Sequence, residues 1–285
     1  MSQPSEQTTS RTPTPPPGAQ ARTGASVSPR TLACLVLAAG LGTRMRPFTE
    51  VTPKPLLTVN NEELLARSIR QGTALVGRTA VNAHHLADQV EAFVEPWSVH
   101  VSHESRLMGT AGAIAQLGPW LGDDDVLILN GDTWLEELPE GFVSDWDRAG
   151  PRLLVTDVGC RSDFGTLRFI GASLLPNAVA RGLRTEPSGL YEEVWRPRAS
   201  TLDMFVTEVM AFDCGTPMEF LQANLAVSGS SAVIHPTARP GGTVRDSVFL
   251  RDATSPPGSI CIGEIRDGFG HCYVVGSPEG LRAPA

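Results

Sequence analysis

Two short segments of this sequence place basic side chains where they could bind phosphate groups. Residues 37–44 read Leu-Ala-Ala-Gly-Leu-Gly-Thr-Arg, and Lys54 follows them between two prolines. Glycines at the end of a strand let backbone N–H groups approach phosphate oxygens closely. Arg44 and Lys54 would add positive charge, and the flanking prolines would hold Lys54 on a stiff backbone. This pattern predicts a phosphate-binding loop.

Two aspartates further along the chain are candidates for a metal site. Asp132 follows the apolar run 126–129, and Asp213 follows the strand-like run 204–212. Ligands bind at the carboxyl ends of strands in open α/β sheets, so both carboxylates are expected at the ligand-bearing edge. Two nearby carboxylates would repel each other without a cation. We therefore expect Asp132 and Asp213 to lie close together beside one cation, although 81 positions separate them.

The glycine loop differs from two common nucleotide-binding motifs. No Gly-Lys-Ser/Thr follows it, so it is not a Walker A loop. In a dinucleotide fingerprint a third glycine would follow Gly40 and Gly42, at the position of Met45. No acidic residue stands at a strand end about 20 positions on, which argues against a dehydrogenase.

The elements that must position these residues alternate along the chain. Residues 32–37 form a continuous apolar run, as expected of a strand buried on both faces of a parallel sheet. A helix is predicted around residues 64–69, with Asn60 and Glu63 as its capping box. Other strands are expected at 79–82, 99–102, 126–129, 152–158, 165–170 and 204–212, and other helices at 86–94 and 110–117. Such alternation predicts an α/β fold, a doubly wound, mixed and mostly parallel sheet.

Composition excludes several classes of function. The chain has 285 residues and a formal net charge of −8, which disfavours a broad nucleic-acid surface. Its five cysteines show no zinc or disulfide spacing, and no apolar stretch approaches membrane length. We expect a cytoplasmic protein that binds neither nucleic acid nor membrane. Residues 1–30 lack core-forming side chains and are predicted to be a disordered, dispensable tail.

The last 55 residues have a different pattern from the rest of the chain. Small turn residues alternate with single aliphatics from Ile234 onward, which suggests turns of a β-solenoid. We predict a catalytic domain over residues 31–230 and a short, left-handed β-helix-like extension over residues 231–285. The extension would pack on the catalytic domain and is a candidate contact for a homo-oligomer. The same Gly and Pro density would also fit an irregular tail.

The complete motif around the glycine loop resembles a known family. The sugar-1-phosphate nucleotidyltransferases, also called NDP-sugar pyrophosphorylases, carry G-x-G-T-R-[LM]-x-P-x-T-x-x-x-P-K-P. This chain matches it at Gly40, Gly42, Thr43, Arg44, Met45, Pro47, Thr49, Pro53, Lys54 and Pro55. Residues 81–90 are similar to a stretch in bacterial members that act on N-acetylmuramate or heptose phosphates, such as the N-acetylmuramate-1-phosphate uridylyltransferase type. Residues 104–112 resemble the segment that surrounds the nucleoside base, and residues 109–112 look closer to the mannose-1-phosphate guanylyltransferase type. The resemblance extends over residues 31–226.

The resemblance implies an Mg²⁺-dependent reaction of an NTP with a sugar 1-phosphate, which releases pyrophosphate. It implies catalytic roles for Arg44, Lys54 and Asp132, and metal ligation by Asp132 and Asp213. Nucleotide contacts would come from Leu37, Ala38, Ala39, Gly40, Gly42, Thr43, Arg44, Lys54, Gly109 and Thr110. Sugar contacts would come from Asn130, Gly165 and Gly189.

The sequence also departs from the family pattern. No Glu-Lys-Pro motif occurs between Gly165 and Asp213, so the group that holds the sugar phosphate is unassigned. Residues 109–112, Gly-Thr-Ala-Gly, favour GTP, with UTP as the next choice. The sugar could be mannose, a heptose, N-acetylmuramate or a cyclitol. The alternative function is a catalytically silent regulatory or assembly paralogue, which the presence of Arg44, Lys54 and both aspartates opposes.

Overall fold

The computed structural model describes residues 31–275. The predicted tail over residues 1–30 and the last part of the predicted extension, residues 276–285, lie outside the described residues. The strands are β1 (Leu32–Leu37), β2 (Thr58–Val59), β3 (Glu62–Glu63), β4 (Arg78–Ala83), β5 (His100–His103), β6 (Asp125–Asn130), β7 (Thr133–Leu135), β8 (Arg152–Ser162), β9 (Gly165–Leu175), β10 (Asp203–Val206), β11 (Ala211–Asp213), β12 (Ala232–Ile234), β13 (Thr243–Arg245), β14 (Ser247–Phe249), β15 (Ile260–Ile262), β16 (Glu264–Arg266) and β17 (Cys272–Val274).

The helices separate the strands of the first half. The α-helices are α1 (Leu64–Leu75), α2 (Ala87–Val94), α3 (Gly109–Gln116), α4 (Gly118–Leu121), α5 (Asn177–Ala180) and α6 (Pro217–Ser228). Short 3-10 turns cover Thr43–Met45, Phe48–Glu50 and Lys54–Leu56, and a π-helical turn covers Tyr191–Trp195. No helix in the described part of the chain is both long and apolar enough to cross a membrane.

The central sheet has seven strands in the order β10-β8-β9-β6-β1-β4-β5. Its pairs are parallel except the two made by β9, which runs antiparallel to both β6 and β8. The predicted mostly parallel α/β sheet is therefore confirmed. β1 lies between β6 and β4, so the loop that follows β1 emerges at the centre of the sheet's carboxyl edge.

Helices cover both faces of the sheet, and the side chains of β1 alternate between the two apolar cores that result. Cys34 and Val36 belong to a core with α1 and α2, whereas Ala33 and Leu35 belong to one with α3, α4 and α5. All four side chains are fully buried. This two-sided burial explains why β1 reads as a continuous apolar run.

Two local predictions are wrong. Asn60 and Glu63 do not form a capping box: α1 begins after Glu63 with no side-chain cap, and Asn60 and Asn61 have positive φ values of 49° and 65° in the turn between β2 and β3. Asparagine tolerates this backbone conformation, which suits a tight hairpin turn. The single strand expected over 204–212 is two strands, β10 and β11, which belong to different sheets.

The chain after α6 forms short strands that pair mainly in parallel. β12, β14 and β16 pair side by side, β13 pairs with β15, and the antiparallel strand β17 closes the edge beside β16. Val248 and Ile265 from these strands share a core with Phe220 of α6 and with Met45 and Phe48 of the signature segment, the family motif over residues 40–55. The described part of the extension therefore packs on the catalytic part, whereas the β-solenoid stays a prediction.

Candidate active site

A cavity of about 170 Å³ opens at the carboxyl edge of the central sheet, where the loop after β1 meets the end of β6. Its lining combines the glycine loop with a basic side chain, an acidic side chain and a glycine from three other segments. The lining residues are Leu37, Ala38, Gly40, Gly42, Thr43, Arg44, Lys54, Pro55, Asp132 and Gly215. Eight of these ten are predicted nucleotide or catalytic residues, and the structure brings them together around one space.

The glycine loop is held rigidly at its second glycine. Gly42 has a φ of 62°, and its carbonyl oxygen accepts hydrogen bonds from the Met45 amide and the Thr49 hydroxyl, each 2.8 Å long. A Cβ atom at this position would lie 2.9 Å from Cγ2 of Thr49. A Cβ on Gly40 would meet nothing within 4 Å, so Gly40 borders open space in the cavity. The two glycines thus differ: Gly42 shapes the loop, and Gly40 leaves room for a ligand.

Lys54 is buried, with 7% of its area exposed, and its ammonium group lies between the two predicted metal ligands. Its Nζ atom is 2.7 Å from Oδ2 of Asp132 and 3.8 Å from Oδ1 of Asp213. Both carboxylates therefore lie near the same ammonium group, whereas their binding of one Mg²⁺ stays a prediction. Lys54 itself lies between them. The positions of these three residues in the sequence do not indicate this contact.

The convergence of Asp132 and Asp213 has a backbone cause. β7 and β11 form a two-stranded antiparallel sheet in which Asp213 pairs with Thr133, the residue after Asp132. A second contact fixes this strand end to the glycine loop, because the Gly131 amide donates a 2.9 Å hydrogen bond to the Leu37 carbonyl. Backbone pairing thus holds both carboxylates beside the glycine loop.

The surroundings of Asp213 disfavour its ionised form. Desolvation by neighbouring protein atoms is the largest cause and raises the pKa of Asp213 above its ordinary value. The carboxylates of Asp132 and Glu219 raise this pKa further, while the positive charges of Lys54 and Arg44 lower it. A cation bound between Asp132 and Asp213 would oppose this shift, because it stabilises the ionised carboxylate.

Arg44 supplies a cation at the mouth of the cavity. Its guanidinium packs against Gly215, where a Cβ atom would lie 2.8 Å from Nη2. Within residues 31–275 no carboxylate oxygen lies within ion-pairing distance of Arg44, whereas Lys54 has two such neighbours. Arg44 is therefore available to an anionic ligand.

Several predicted contact residues lie outside the cavity lining. Gly109 and Thr110 begin α3, where the Thr110 hydroxyl accepts a 2.7 Å hydrogen bond from the Leu190 amide. Gly165 lies at the turn of the β8–β9 hairpin, Gly189 lies beside the start of α3, and Asn130 ends β6. Ala39, a predicted nucleotide contact, also lies outside the lining. The roles assigned to these residues, like those of the lining residues, stay predictions.

Sequence reasoning missed two lining residues and one glycine. Pro55 and Gly215 line the cavity although neither was assigned a contact. Pro55 ends the family motif, and Gly215 lies two residues after Asp213. Gly171 in β9 has a φ of 91° and packs on Thr133, so it shapes the strand beside the site. Its positive φ could not be recognised from an isolated glycine in an apolar run.

The described residues contain no cluster of three or more His, Cys, Asp or Glu side chains that could hold a metal ion. Two carboxylates alone remain compatible with Mg²⁺, which usually keeps several waters and binds through one or two carboxylates together with substrate phosphates. The donor set of Asp132 and Asp213 therefore fits a magnesium ion that arrives with a nucleotide.

Comparison with known proteins identifies relatives of this arrangement. The family model described as MobA-like NTP transferase domain matches residues 34–188. The N-acetylmuramate alpha-1-phosphate uridylyltransferase of Neisseria meningitidis serogroup B is 37% identical over 105 residues, which cover 34% of this chain and 46% of that protein. The mannose-1-phosphate guanylyltransferase catalytic subunit beta of Xenopus tropicalis is 25% identical over 263 residues, covering 80% of this chain and 73% of that protein.

The same fold occurs among solved structures. The crystal structure of HddC from Yersinia pseudotuberculosis, complexed with GMP-PN, matches with a TM-score of 0.57 and 20% identity. The match covers 68% of this chain and 99% of that chain. At this identity the similarity establishes the fold alone.

Proposed function

The chain belongs to the MobA-like NTP transferase domain family, and from this premise we propose that it is an Mg²⁺-dependent sugar-1-phosphate nucleotidyltransferase. The proposed reaction joins an NTP to a sugar 1-phosphate and releases pyrophosphate. One observation carries the proposal: Gly40, Arg44, Lys54 and Asp132 surround a single cavity at the carboxyl edge of the sheet. The relatives named above, a uridylyltransferase and a guanylyltransferase, support the same class of reaction.

The chain's own residues would position the triphosphate and stabilise developing charge. The sugar phosphate oxygen would attack the α-phosphorus in line, and pyrophosphate would leave. Arg44, which has no carboxylate partner in the described chain, would neutralise the leaving pyrophosphate, and the buried Lys54 would neutralise the α-phosphate. Preorganised groups of this kind accelerate phosphoryl transfer mainly by positioning and electrostatics.

Asp132 and Asp213 would hold the magnesium ion. When bound, Mg²⁺ neutralises phosphate charge and orients the phosphate oxygens. Lys54 pairs with both carboxylates, so its positive charge lies beside the groups that would hold the ion.

We further propose GTP as the nucleotide, with UTP next, on the strength of residues 109–112 at the start of α3. The test is a pyrophosphate-release assay with GTP, UTP, dTTP and ATP at equal concentration, each with a panel of sugar 1-phosphates. Turnover that is highest with GTP supports the choice of base. Higher turnover with dTTP would overturn it, and no turnover with any pair would favour a silent paralogue.

The parallel pairs β12–β14–β16 and β13–β15 support the proposal that the extension is a short β-solenoid. A solenoid of so few turns needs an additional surface to pack on, because about three or more stacked repeats are required for independent stability. The shared core with α6 supplies that surface. The extension's outer face, where Ile260 is 71% exposed, is the candidate contact for a homo-oligomer.

A further inference from the structure

A buried amide lies directly behind the glycine loop and has no role in the chemistry described so far. Asn82, in β4, is 3% exposed. Its Oδ1 atom accepts a 2.7 Å hydrogen bond from the backbone amide of Ala38, the first residue after β1. Its Nδ2 atom donates a 2.7 Å hydrogen bond to Oε1 of Glu104. Asn82 therefore connects the glycine loop, called the phosphate loop below because it is proposed to bind the triphosphate, with the segment after β5.

Glu104 continues the connection toward α3. It is 5% exposed, and its Oε2 atom accepts a 2.8 Å hydrogen bond from the amide of Met108, the residue before α3. Its backbone is fixed as well, because its amide donates to the Ala83 carbonyl and its carbonyl accepts from Nδ1 of His84, each at 2.8 Å. Both carboxylate oxygens of Glu104 thus accept a hydrogen bond, which fixes the orientation of the side chain.

No arginine or lysine pairs with the Glu104 carboxylate within residues 31–275. A buried carboxylate without a cation is expensive, and hydrogen bonds must offset that cost. Here those bonds come from the Asn82 side-chain amide and the Met108 backbone amide. Asn82 and Glu104 together therefore connect two backbone amides, those of Ala38 and Met108. These groups belong to the phosphate loop and to the segment proposed for the nucleoside.

We infer that Asn82 and Glu104 are positioning residues that hold the phosphate loop and the start of α3 in a fixed relation. This inference rests on the proposed function, because the NTP must span both segments. A rigid connection between them sets the distance between the triphosphate and the nucleoside before binding. Such preorganisation improves binding and turnover of ligands that engage both segments, and leaves a ligand of the phosphate loop alone unaffected.

An exchange of functional groups tests the connection. In Asn82→Asp the Ala38 bond can persist, but two carboxylates then face each other. In Glu104→Gln only one of the two bonds can be accepted by the remaining carbonyl oxygen. The double variant N82D/E104Q restores every bond with one donor reversed: the Gln amide donates to the Asp carboxylate, and the Gln carbonyl accepts from the Met108 amide. Its net charge equals that of the wild type.

The measurements are calorimetric binding of inorganic tripolyphosphate and of the NTP with the highest turnover in the panel, together with kcat, KM and Tm. Each single variant is expected to weaken NTP binding by about tenfold or more, as loss of a hydrogen bond to a charged group commonly does. Tripolyphosphate binding should stay within about twofold, since it engages the phosphate loop alone. The double variant should recover most of the NTP affinity and of kcat/KM.

The matched control is Asn177→Asp, another buried asparagine (7% exposed) whose amide donates to the Gly122 and Asp124 carbonyls near the opposite edge of the sheet. It should lower Tm without changing the ratio of NTP affinity to tripolyphosphate affinity. Asn82→Ala, which removes both bonds and adds no charge, replaces Asn82→Asp should the latter not fold.

Single variants with wild-type NTP affinity would overturn the inference. An equal loss of tripolyphosphate and NTP affinity, or a double variant that does not recover, would overturn it too. A wild-type chain that binds NTP but releases no pyrophosphate with any sugar phosphate would refute the proposed function alone. The NTP and tripolyphosphate affinities of the single and double variants would still test the inference.

Discussion

At the scale of single residues, the site depends on one lysine between two carboxylates. Lys54 is the only lysine in the chain, and it is buried against Asp132 at 2.7 Å and near Asp213 at 3.8 Å. Lys54 is the buried member of these pairs, whereas both carboxylates are partly exposed. Asp132, the nearer carboxylate, therefore balances most of the buried lysine's charge.

Replacing either aspartate with asparagine keeps the side chain's size and removes one negative charge. We expect Asp132→Asn and Asp213→Asn each to cut turnover by about 10²-fold or more, as loss of a preorganised electrostatic group commonly does. Pyrophosphate release at saturating and limiting Mg²⁺ measures this. The control is Asp123→Asn, a surface aspartate whose side chain is 89% exposed, which should keep wild-type turnover. Near-normal turnover of Asp213→Asn at low Mg²⁺ would contradict its role as a ligand.

The raised pKa of Asp213 predicts a pH-dependent stability. A carboxyl group whose pKa is higher in the folded than in the unfolded protein favours folding at low pH, and this contribution is lost as pH rises through the folded value. In metal-free protein, Asp213→Asn should therefore raise Tm relative to the wild type at neutral pH. The difference should shrink as pH falls toward the ordinary aspartate range.

Melting curves in EDTA from pH 4 to pH 8 measure this effect. Added Mg²⁺ and NTP should stabilise the wild type more than the variant, because the cation relieves the repulsion between carboxylates. A variant that melts below the wild type at neutral pH would show that Asp213 prefers to be ionised in the folded protein.

At the scale of elements, the glycine loop contains two glycines with separable tasks. Gly42→Ala places a Cβ in a left-handed conformation and against Thr49, so we expect the free energy of unfolding to fall by about 1–3 kcal/mol. Gly40→Ala meets open space, so its stability should stay near the wild type while NTP binding weakens. Urea denaturation and nucleotide titration separate the two effects. Equal stability losses in both variants would refute this division of tasks.

The pairing of β7 with β11 is the element-scale feature that completes the site. It brings Asp213 opposite Thr133, and Gly131 is held to Leu37 on the other side. A single strand over residues 204–212, as predicted, would have placed Asp213 at the end of a strand in the central sheet. The break between β10 and β11 instead places it in a separate ribbon beside the cavity.

At the scale of the whole molecule, the extension and the signature segment share one core. Ile265 is fully buried and belongs to the cluster that includes Met45, Phe48 and Phe220. We expect Ile265→Ala to lower the free energy of unfolding by about 2–4 kcal/mol, the usual cost of truncating a buried aliphatic side chain. The matched control Ile260→Ala, at a position 71% exposed, should stay within about 0.5 kcal/mol.

A chain ended after Ser230 tests the same point more severely. It loses Val233, Val248 and Ile265, and it exposes the apolar faces of α6 and of the signature segment. Its Tm and turnover should both fall. An unchanged melting temperature would mean that the extension contributes nothing to the catalytic part.

The sequence by itself determined the elements and the chemistry of the loop. Apolar runs and glycines are local signals, so β1, β4, β6 and the helices between them could be predicted within a few residues. The signature with Gly40, Arg44 and Lys54 indicated phosphate chemistry for the same reason. The turn at Asn60 was misassigned, because an asparagine can serve a helix cap or a left-handed turn equally well.

Only the tertiary structure decided which distant residues meet. Lys54 between Asp132 and Asp213, Gly171 against Thr133, and the bridge from Ala38 through Asn82 and Glu104 to Met108 all depend on strand order and register. Strand order depends on contacts between residues far apart in the chain, so no single local segment determines which of these side chains meet.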